Sequence, residues 1–358
     1  MAVVQELLPR YRSRFFDLLR ARLAHEGVEL VLVHGRARGD RALLADEGDL
    51  PWAHVVDSTQ LGMGRGTPLV WQHALSQLDG ADLVVVEQAS RHLLNYLLMA
   101  RRATRRQRLA FWGHGANLQA RSDRSWRERW KRLYSRNADW WFAYTEGAAR
   151  RVAALGFPRE RITVVQNATD VAAVPRLPRL PGRTCFVGGL HQHKQIPFLL
   201  EAASMAARSV DGFRLVVAGD GPERATVERA LVRSPWLELL PPQFGADKSR
   251  VLLSSQLVLM PGLVGLVAVD SLRTATPIVT VEGPHHSPEY EYLTPQNASV
   301  LPRGAAPEDY AAEVRRLLTD DQRLEAMRAR CREDGSQLTV EEMARRFAEG
   351  VLAALDAG

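Results

Sequence analysis

Short, continuous apolar runs alternate with amphipathic segments along the first half of this chain. The runs lack the polar alternation of a half-exposed strand, so they indicate strands of a parallel sheet covered on both faces. The amphipathic segments carry apolar residues at helical spacing, as Phe15, Leu19 and Leu23 do. The pattern predicts helices over residues 11–24 and 93–103, and strands over residues 3–7, 28–33, 83–86, 109–112, 140–144 and 162–165.

A segment without periodicity separates the two halves. Residues 174–183 read VPRLPRLPGR, and this cluster of prolines with a glycine predicts a linker. The same alternation then restarts, so the chain predicts two consecutive doubly wound α/β domains with ligands at the carboxyl ends of their strands. The predicted strands cover residues 185–187, 215–218, 237–240, 257–260 and 278–281, and the predicted helices cover residues 196–207, 224–232, 248–253 and 266–275.

The end of the chain predicts a separate amphipathic helix. Thr339 and Glu342 have the spacing of a capping box, and a helical apolar stripe that includes Phe347 and Val351 follows. The predicted division is a first domain over residues 1–175, a second over 176–338 and a terminal helix over 339–358.

Composition is that of a globular protein, with 46% hydrophobic and 25% charged residues. A chain of 358 residues is longer than a domain with a single hydrophobic core usually is, which favours two domains. No run of apolar residues is long enough for a transmembrane helix, and the charged N-terminus lacks the apolar core of a signal peptide. Cys185 and Cys331 do not indicate a disulfide framework. We therefore expect a cytoplasmic protein.

The formal net charge of +6 favours anionic partners, and residues 121–141 combine arginines with tryptophans. That combination suits peripheral docking on the inner face of an anionic plasma membrane, and it also suits stacking on single-stranded nucleic acid. Because Trp126, Trp130 and Leu133 share one helix face, packing into a core is a third interpretation. Nucleic acid is the least favoured of the three.

Residues 260–271, MPGLVGLVAVDS, predict a strand end, a glycine turn and a new helix. The free N–H groups of Gly265 and Leu266 at the helix start can bind an anion. Asp270 follows about one helical turn later and can accept a hydrogen bond from a sugar hydroxyl. A phosphate beside a sugar hydroxyl describes a nucleotide.

Two further glycine-rich loops follow predicted strands. In the first, Gly188 and Gly189 permit close approach of a ligand, while His191 and Lys194 offer hydrogen bonds and a positive charge for a diphosphate. A surface lysine after a turn is the alternative interpretation of Lys194. In the second loop, GDGP, Gly219 makes a tight turn, and a plain strand-to-helix connection is the favoured interpretation.

The order and spacing of four motifs are similar to those of a known family. The motifs are FVGGLHQHK (186–194), AGDGP (218–222), PGLVGLVAVDS (261–271) and TPIVT (276–280), and LPRYRSRFFDLL, WGHG and AYTEGAARRV extend the similarity to the first half. Together they resemble the retaining glycosyltransferases of family 4. The resemblance implies the GT-B fold, in which two Rossmann-like domains face a central cleft and a C-terminal helix crosses back to the first.

The resemblance also implies roles for single residues. Lys194 matches a lysine that contacts the donor diphosphate, and Gly265 and Leu266 match the turn whose amides hold the distal phosphate. Asp270 stands where the family has a ribose-binding glutamate. His114 matches a histidine facing the donor sugar; a packed core histidine is the alternative. Glu289 falls near a family glutamate on the loop after the TPIVT strand.

Two positions depart from the family pattern. Gly189 replaces an arginine five positions before the lysine, and Gly262 replaces the first glutamate of the E-x7-E motif. The form PGxVGLxxxxS resembles a branch of surface-polysaccharide transferases, so we interpret the departures as a subfamily variant. We expect the acceptor side to include Tyr11 and Arg12, although a surface arginine at a helix start is the plainer interpretation of Arg12.

The sequence therefore predicts a hexosyltransferase that uses a UDP- or GDP-sugar, retains configuration and acts on a glycan or lipid-linked acceptor. His114 and Lys194 are the predicted catalytic residues. No D-x-D motif and no His/Cys/Asp cluster with metal spacing is present in the sequence, so we expect no metal cofactor. A GT-B epimerase and a non-catalytic protein that binds nucleic acid or membrane are the alternatives.

Overall fold

A computed structural model describes residues 1–36, 47–62, 68–102, 107–115, 134–172, 174–175, 177–284 and 286–357. The chain divides into two compact units. Unit 1 comprises Met1–Asn167 and Val340–Gly358, and unit 2 comprises Ala168–Thr339.

The centre of unit 1 is a parallel sheet of seven strands in the order β3-β2-β1-β6-β7-β8-β9. The order reverses direction between β1 and β6, as in doubly wound folds, because the chain builds outward from β1 on both sides. Five of the strands are short, mainly apolar runs that are largely buried, whereas the two residues of β3 are exposed and β9 is only partly buried. The strands are β1 (Ala2–Leu7), β2 (Val31–Gly35), β3 (His54–Val55), β6 (Leu83–Glu87), β7 (Arg108–Gly113), β8 (Trp140–Ala143) and β9 (Ile162–Val164).

An antiparallel ribbon stands apart from this sheet. It consists of β4 (Ser58–Leu61) and β5 (Leu69–Gln72), with Leu61 opposite Leu69. The apolar pattern did not predict it, since both strands are only four residues long and β4 is largely exposed.

Helices cover the sheet of unit 1, and the terminal helix packs on the first one. The described helices of this unit are α1 (Ser13–His25), α2 (Leu75–Leu78), α3 (Leu93–Arg102), α4 (Glu146–Ala154) and α11 (Val340–Asp356). The ring of Phe347 in α11 stacks on Phe142 at 4.1 Å between centroids. A Cβ at Gly350 would lie 2.5 Å from Thr163 Oγ1, so glycine lets α11 approach the sheet closely. The C-terminal helix therefore belongs to the core of unit 1.

Unit 2 repeats the same plan with a parallel sheet in the order β12-β11-β10-β13-β14-β15. The strands are β10 (Arg183–Val187), β11 (Arg214–Ala218), β12 (Leu237–Leu240), β13 (Leu257–Met260), β14 (Ile278–Val281) and β15 (Ala298–Leu301). The helices are α5 (Ile196–Ser209), α6 (Arg224–Leu231), α7 (Gly245–Ser254), α8 (Val267–Arg273), α9 (Pro307–Leu318) and α10 (Asp321–Gly335). Residues that carry chemistry follow β10, β11 and β13, at the carboxyl edge beside the reversal of strand order.

The segment before β10 is anchored at Arg179. Its guanidinium donates hydrogen bonds to the carbonyl oxygens of Ser255, Thr274 and Ala275 at 2.5–2.8 Å. Burial lowers the pKa of Arg179 to about 10. This part of the predicted linker therefore packs against the body of unit 2.

Several expectations from the sequence need correction. The strand expected over residues 28–33 begins at Val31, because the Val28 N–H donates to Leu23 O and Gly27, at φ 74°, closes helix α1. The short elements β3 and β15, and the helices α4, α9 and α10, were not predicted. Across the described ranges, no helix combines the length and the apolar character that a membrane crossing requires.

The basic segment 121–141 falls mainly outside the described residues, which resume at residue 134. Trp140 and Trp141 lie within β8 and are buried. These two rings belong to the core, so they do not support a membrane or nucleic-acid surface. Trp126 and Trp130 lie outside the described residues.

Candidate functional site

The loop after β10 places a partly buried lysine at the sheet edge. Gly188, at φ 146°, turns the chain, and its N–H donates to Ala218 O at 3.0 Å. A 3-10 turn then brings the Lys194 ammonium to the carbonyl oxygen of Leu263 at 2.5 Å. Burial lowers the pKa of Lys194 to about 8. Lys194 has no carboxylate partner among the described residues, so it is a partly buried cation without a neighbouring counter-charge in that part of the chain.

The GDGP loop packs directly against this lysine loop. A Cβ at Gly219 would clash with the carbonyl oxygen of Gly188, and a Cβ at Gly221 would lie 2.6 Å from that of Leu190. Leu190 N–H also donates to Asp220 O at 2.8 Å. The glycines of GDGP therefore allow the two loops to pack closely.

The turn between β13 and α8 is held by a histidine that sequence reasoning did not select. His286 Nδ1 accepts a hydrogen bond from the Val264 N–H, and His286 Nε2 lies 3.0 Å from Val281 O. These contacts fit a neutral ring protonated on Nε2. The N–H groups of Gly265 and Leu266 have no acceptor within the described part of the chain. The turn therefore presents free amides close to Leu263, whose carbonyl binds Lys194.

Close main-chain packing at Gly262 leaves no space for the glutamate that the family has at this position. A Cβ at this position would clash with His193 O and would lie 2.5 Å from the carbonyl carbon of Lys194. Both contacts are with main-chain atoms, so a side chain could not move them aside cheaply. The Leu263 N–H donates to His193 O at 2.8 Å in the same contact. Backbone packing between two loops occupies the space of the carboxylate.

Asp270 lies in α8 and is only 5% exposed. Its Oδ1 accepts two hydrogen bonds, one from Lys248 Nζ at 2.8 Å and one from Thr169 Oγ1 at 2.7 Å. Neither donor was selected from the sequence. Lys248 is in α7 and Thr169 precedes β10, so no local spacing signals either contact.

The remaining donor-side candidates lie around this loop. The rings of His191 and His193 stack at 5.3 Å, and burial, with the charge of Lys194, lowers the pKa of His193. A Cβ at Gly189 would lie 2.7 Å from the His191 ring, so a larger residue there would displace that ring. Glu289 lies in the 3-10 turn Pro288–Tyr292 and is 2% exposed.

His114 follows β7 in unit 1 and is solvent-accessible. Its ring lies 4.8 Å from that of Tyr144, and its carbonyl oxygen is 3.5 Å from an Arg151 nitrogen. The surrounding protein desolvates the ring, and together with the charges of Arg151 and Arg12 this lowers the pKa of His114 to about 4. His114 is therefore neutral at physiological pH, and the core interpretation is wrong.

Arg12 is 3% exposed, which contradicts the surface interpretation. Its guanidinium lies over the ring of Trp112 at 4.6 Å and donates to Asn167 Oδ1 at 2.7 Å. Tyr144 also lies against it at 5.6 Å, so Arg12 and His114 share one aromatic neighbour. The preceding Tyr11 is partly exposed.

Unit 1 also contains a polar cluster that the sequence does not reveal. Possible ligand atoms of Glu6, Glu87 and His92 lie within 4.8 Å of one another at the ends of β1 and β6. Arg91 forms an ion pair with Glu6, and the Glu6 N–H donates to Glu87. Burial raises the pKa of Glu87. The group forms an internally bonded network, brought together from separate strands.

Solved structures with the same architecture are glycosyltransferases. HepE from Anabaena in complex with UDP-glucose shares 14% identity over 98% of both chains, with a TM-score of 0.67. The pneumococcal O-GlcNAc transferase GtfA with UDP and GlcNAc shares 11% over 99% of both chains, with a TM-score of 0.68. The lipopolysaccharide outer core galactosyltransferase WaaB shares 13% over 98% of both chains, with a TM-score of 0.63. The fold is GT-B.

Family models identify both halves of the sequence. Residues 13–173 match the model described as Glycosyltransferase Family 4, and residues 181–320 match Glycosyl transferases group 1. Together they span most of the chain, which therefore belongs to glycosyltransferase family 4. A comparison with curated proteins finds no match.

Proposed function

We propose that this glycosyltransferase moves a hexose from a UDP- or GDP-sugar to a hydroxyl of a glycan or lipid-linked acceptor, with retention of configuration. The observation that carries the proposal is the environment of Lys194 in unit 2. Among the described residues, a partly buried cation without a carboxylate partner lies beside a turn whose amides have no acceptor. Such a site is complete only with an anion.

The chemistry of the leaving group explains this arrangement. A nucleoside diphosphate departs with negative charge, so transfer is accelerated by cations and N–H dipoles placed where that charge develops. Lys194 supplies the cation, and the amides of Gly265 and Leu266 supply the dipoles. Asp270 accepts hydrogen bonds from the ribose.

Retention is proposed from the resemblance to the retaining transferases of family 4, and position 262 bears on how it is achieved. A double displacement needs a carboxylate nucleophile close to the reacting carbon. Gly262 carries no side chain and has no space for one. We therefore favour front-face transfer, in which the departing phosphate accepts the proton of the acceptor hydroxyl. Unit 1, with Tyr11, Arg12 and His114, provides the acceptor side.

The ligands of the similar structures guide the choice of donor. The HepE complex contains UDP-glucose and the GtfA complex contains UDP with GlcNAc. These complexes support UDP as the first nucleotide to examine. The identity of the transferred sugar must be determined by direct assay.

The test is a thermal-shift screen of the full chain with UDP, GDP and dTDP. At least one of them raises the melting temperature of the wild type, and Lys194→Met removes that shift. NMR of the sugar product then reports the anomeric configuration. If no nucleoside diphosphate shifts the wild type, the proposed function is wrong, and an inverted product refutes retention alone.

A further inference from the structure

Lys248 is an unassigned cation at the predicted ribose-binding carboxylate. Its ammonium lies 2.8 Å from Asp270 Oδ1, with the lysine side chain 15% exposed and the aspartate side chain 7% exposed. Thr169 Oγ1 donates to the same oxygen at 2.7 Å. Both contacts therefore converge on Oδ1, and Oδ2 makes no hydrogen bond among the described residues.

The two lysines of this unit stand in opposite electrostatic situations. Among the described residues, Lys194 binds only a carbonyl oxygen and has a pKa lowered by desolvation, whereas Lys248 is paired with a carboxylate. Removing one partner of a buried ion pair leaves the other charge uncompensated, which is strongly unfavourable. Without Lys248, a buried Asp270 carboxylate would stand alone at a site that must accept an anionic diphosphate.

The shorter side chain of aspartate makes its orientation important. Aspartate has one methylene fewer than the glutamate of the family pattern, so a ribose hydroxyl is reached only from a suitable rotamer. A hydroxyl and an ammonium that both bind Oδ1 fix that rotamer and direct the second oxygen outward.

We propose that Lys248 is a positioning residue of the donor site. Together with Thr169 it holds Asp270 Oδ1, so that Oδ2 accepts hydrogen bonds from the ribose hydroxyls. Its charge balances that of Asp270 and leaves the charge of Lys194 for the diphosphate. This inference rests on the proposed function, because it requires a nucleotide at the site.

The experiment measures how strongly binding depends on the ribose hydroxyls. Titration calorimetry compares UDP with 2′,3′-dideoxy-UDP, or the corresponding GDP pair if GDP is the nucleotide bound. The dissociation constant of the dideoxy nucleotide divided by that of the parent nucleotide reports how much the ribose hydroxyls contribute to binding. Lys248→Met lowers this ratio about tenfold, equal to about 1.4 kcal/mol, whereas Lys248→Arg keeps it within about threefold of the wild type. A merely structural role would not change the ratio.

Matched controls lie on the same helix and on the same carboxylate. Arg250→Met removes an exposed cation of α7 that pairs with Asp247, and it leaves the ratio unchanged. Thr169→Val removes the neutral hydrogen bond to Oδ1 and lowers the ratio by a smaller factor. This variant keeps the inference testable if Lys248→Met does not fold.

The outcomes separate this inference from the proposed function. If the wild type binds UDP or GDP and Lys248→Met preserves the ratio, Lys248 does not position Asp270 and only this inference fails. An equal loss of both nucleotides in Lys248→Met overturns it as well, because Lys248 would then act on the phosphates or on the fold. If the wild type binds no nucleoside diphosphate, the proposed function fails, and this inference fails with it.

Discussion

Nucleotide affinity should depend on pH through the ammonium of Lys194. The pKa of this lysine falls from the ordinary 10.5 to about 8 because the surrounding protein desolvates the side chain, which has no carboxylate partner among the described residues. That difference corresponds to about 3.4 kcal/mol of disfavour for the charged form. A bound diphosphate supplies the missing counter-charge, so the complex keeps the lysine protonated to higher pH than the free enzyme does.

The dissociation constant of the nucleotide should therefore rise with pH above about 8. The phosphates are already ionised there, since phosphate monoesters have a second pKa near 6. If only the protonated lysine binds, affinity falls about fiftyfold between pH 8 and pH 10, and the slope approaches tenfold per pH unit at the upper end of that range. Titration calorimetry over pH 7–10, in buffers of different ionisation enthalpy, measures both the affinity and the proton taken up.

The same cation should lower the stability of the unliganded protein. The unfolded chain binds a proton at Lys194 up to pH 10.5 and the folded chain only to about 8, so stability rises with pH across that window. Lys194→Met removes the cost of the charge but also the hydrogen bond to Leu263, which contributes about 1 kcal/mol. A net gain of about 2 kcal/mol should raise the melting temperature of the unliganded protein by about 4–8 °C.

The Lys194→Arg variant is the control, because arginine does not titrate in this range. Its affinity for the nucleotide, whatever its value at pH 7, should stay constant up to pH 10. An unchanged wild-type dissociation constant between pH 7 and pH 10, or a Lys194→Met variant less stable than the wild type at pH 7, would refute this account of the lysine.

Three further expectations follow from contacts in the structure. Gly262→Ala should lower the melting temperature and weaken nucleotide binding, because the added Cβ clashes with the main chain at Lys194. An unchanged melting temperature and dissociation constant, both measured by calorimetry, would show that the two loops can move apart without cost. Because the pKa of His114 is lowered to about 4, this histidine should stay neutral between pH 5 and pH 7, and kcat/KM should show no inflection in that range. An inflection near pH 6.5 that disappears in His114→Gln would contradict this. Arg179→Met should reduce the free energy of unfolding by about 3 kcal/mol in urea denaturation, because it leaves buried carbonyl oxygens without donors.

The sequence predicted those parts of the site that are encoded locally. The glycine turn before α8 and the lysine loop after β10 each lie within one strand-loop-helix unit, so residue type and spacing indicate them. The ion pair between Lys248 and Asp270 joins two helices, and no period in the sequence relates them. The burial of Arg12 was missed for the same reason, since its aromatic neighbour Trp112 comes from a distant strand.

In the fold as well, the features that depend on local sequence were predicted, whereas those that depend on distant segments were not. Apolar runs identified most strands of the two parallel sheets, because burial on both faces requires continuous apolar residues. The ribbon of β4 and β5, which is partly exposed, has no such requirement and was missed. Sheet order, which places β10 between β11 and β13, depends on pairing between separate segments and comes from the structure alone.

The glycine at position 262 connects the departure from the family pattern with the geometry of the lysine. Because Gly262 has no side chain, the turn after β13 can lie directly on the main chain of His193 and Lys194. The same approach brings Leu263 O within 2.5 Å of the Lys194 ammonium and fixes its direction. A residue with a carboxylate here would push the two loops apart and would free the lysine. The change to glycine therefore removes an expected contact to the sugar and fixes the position of the lysine ammonium, on which the proposed contact with the diphosphate depends.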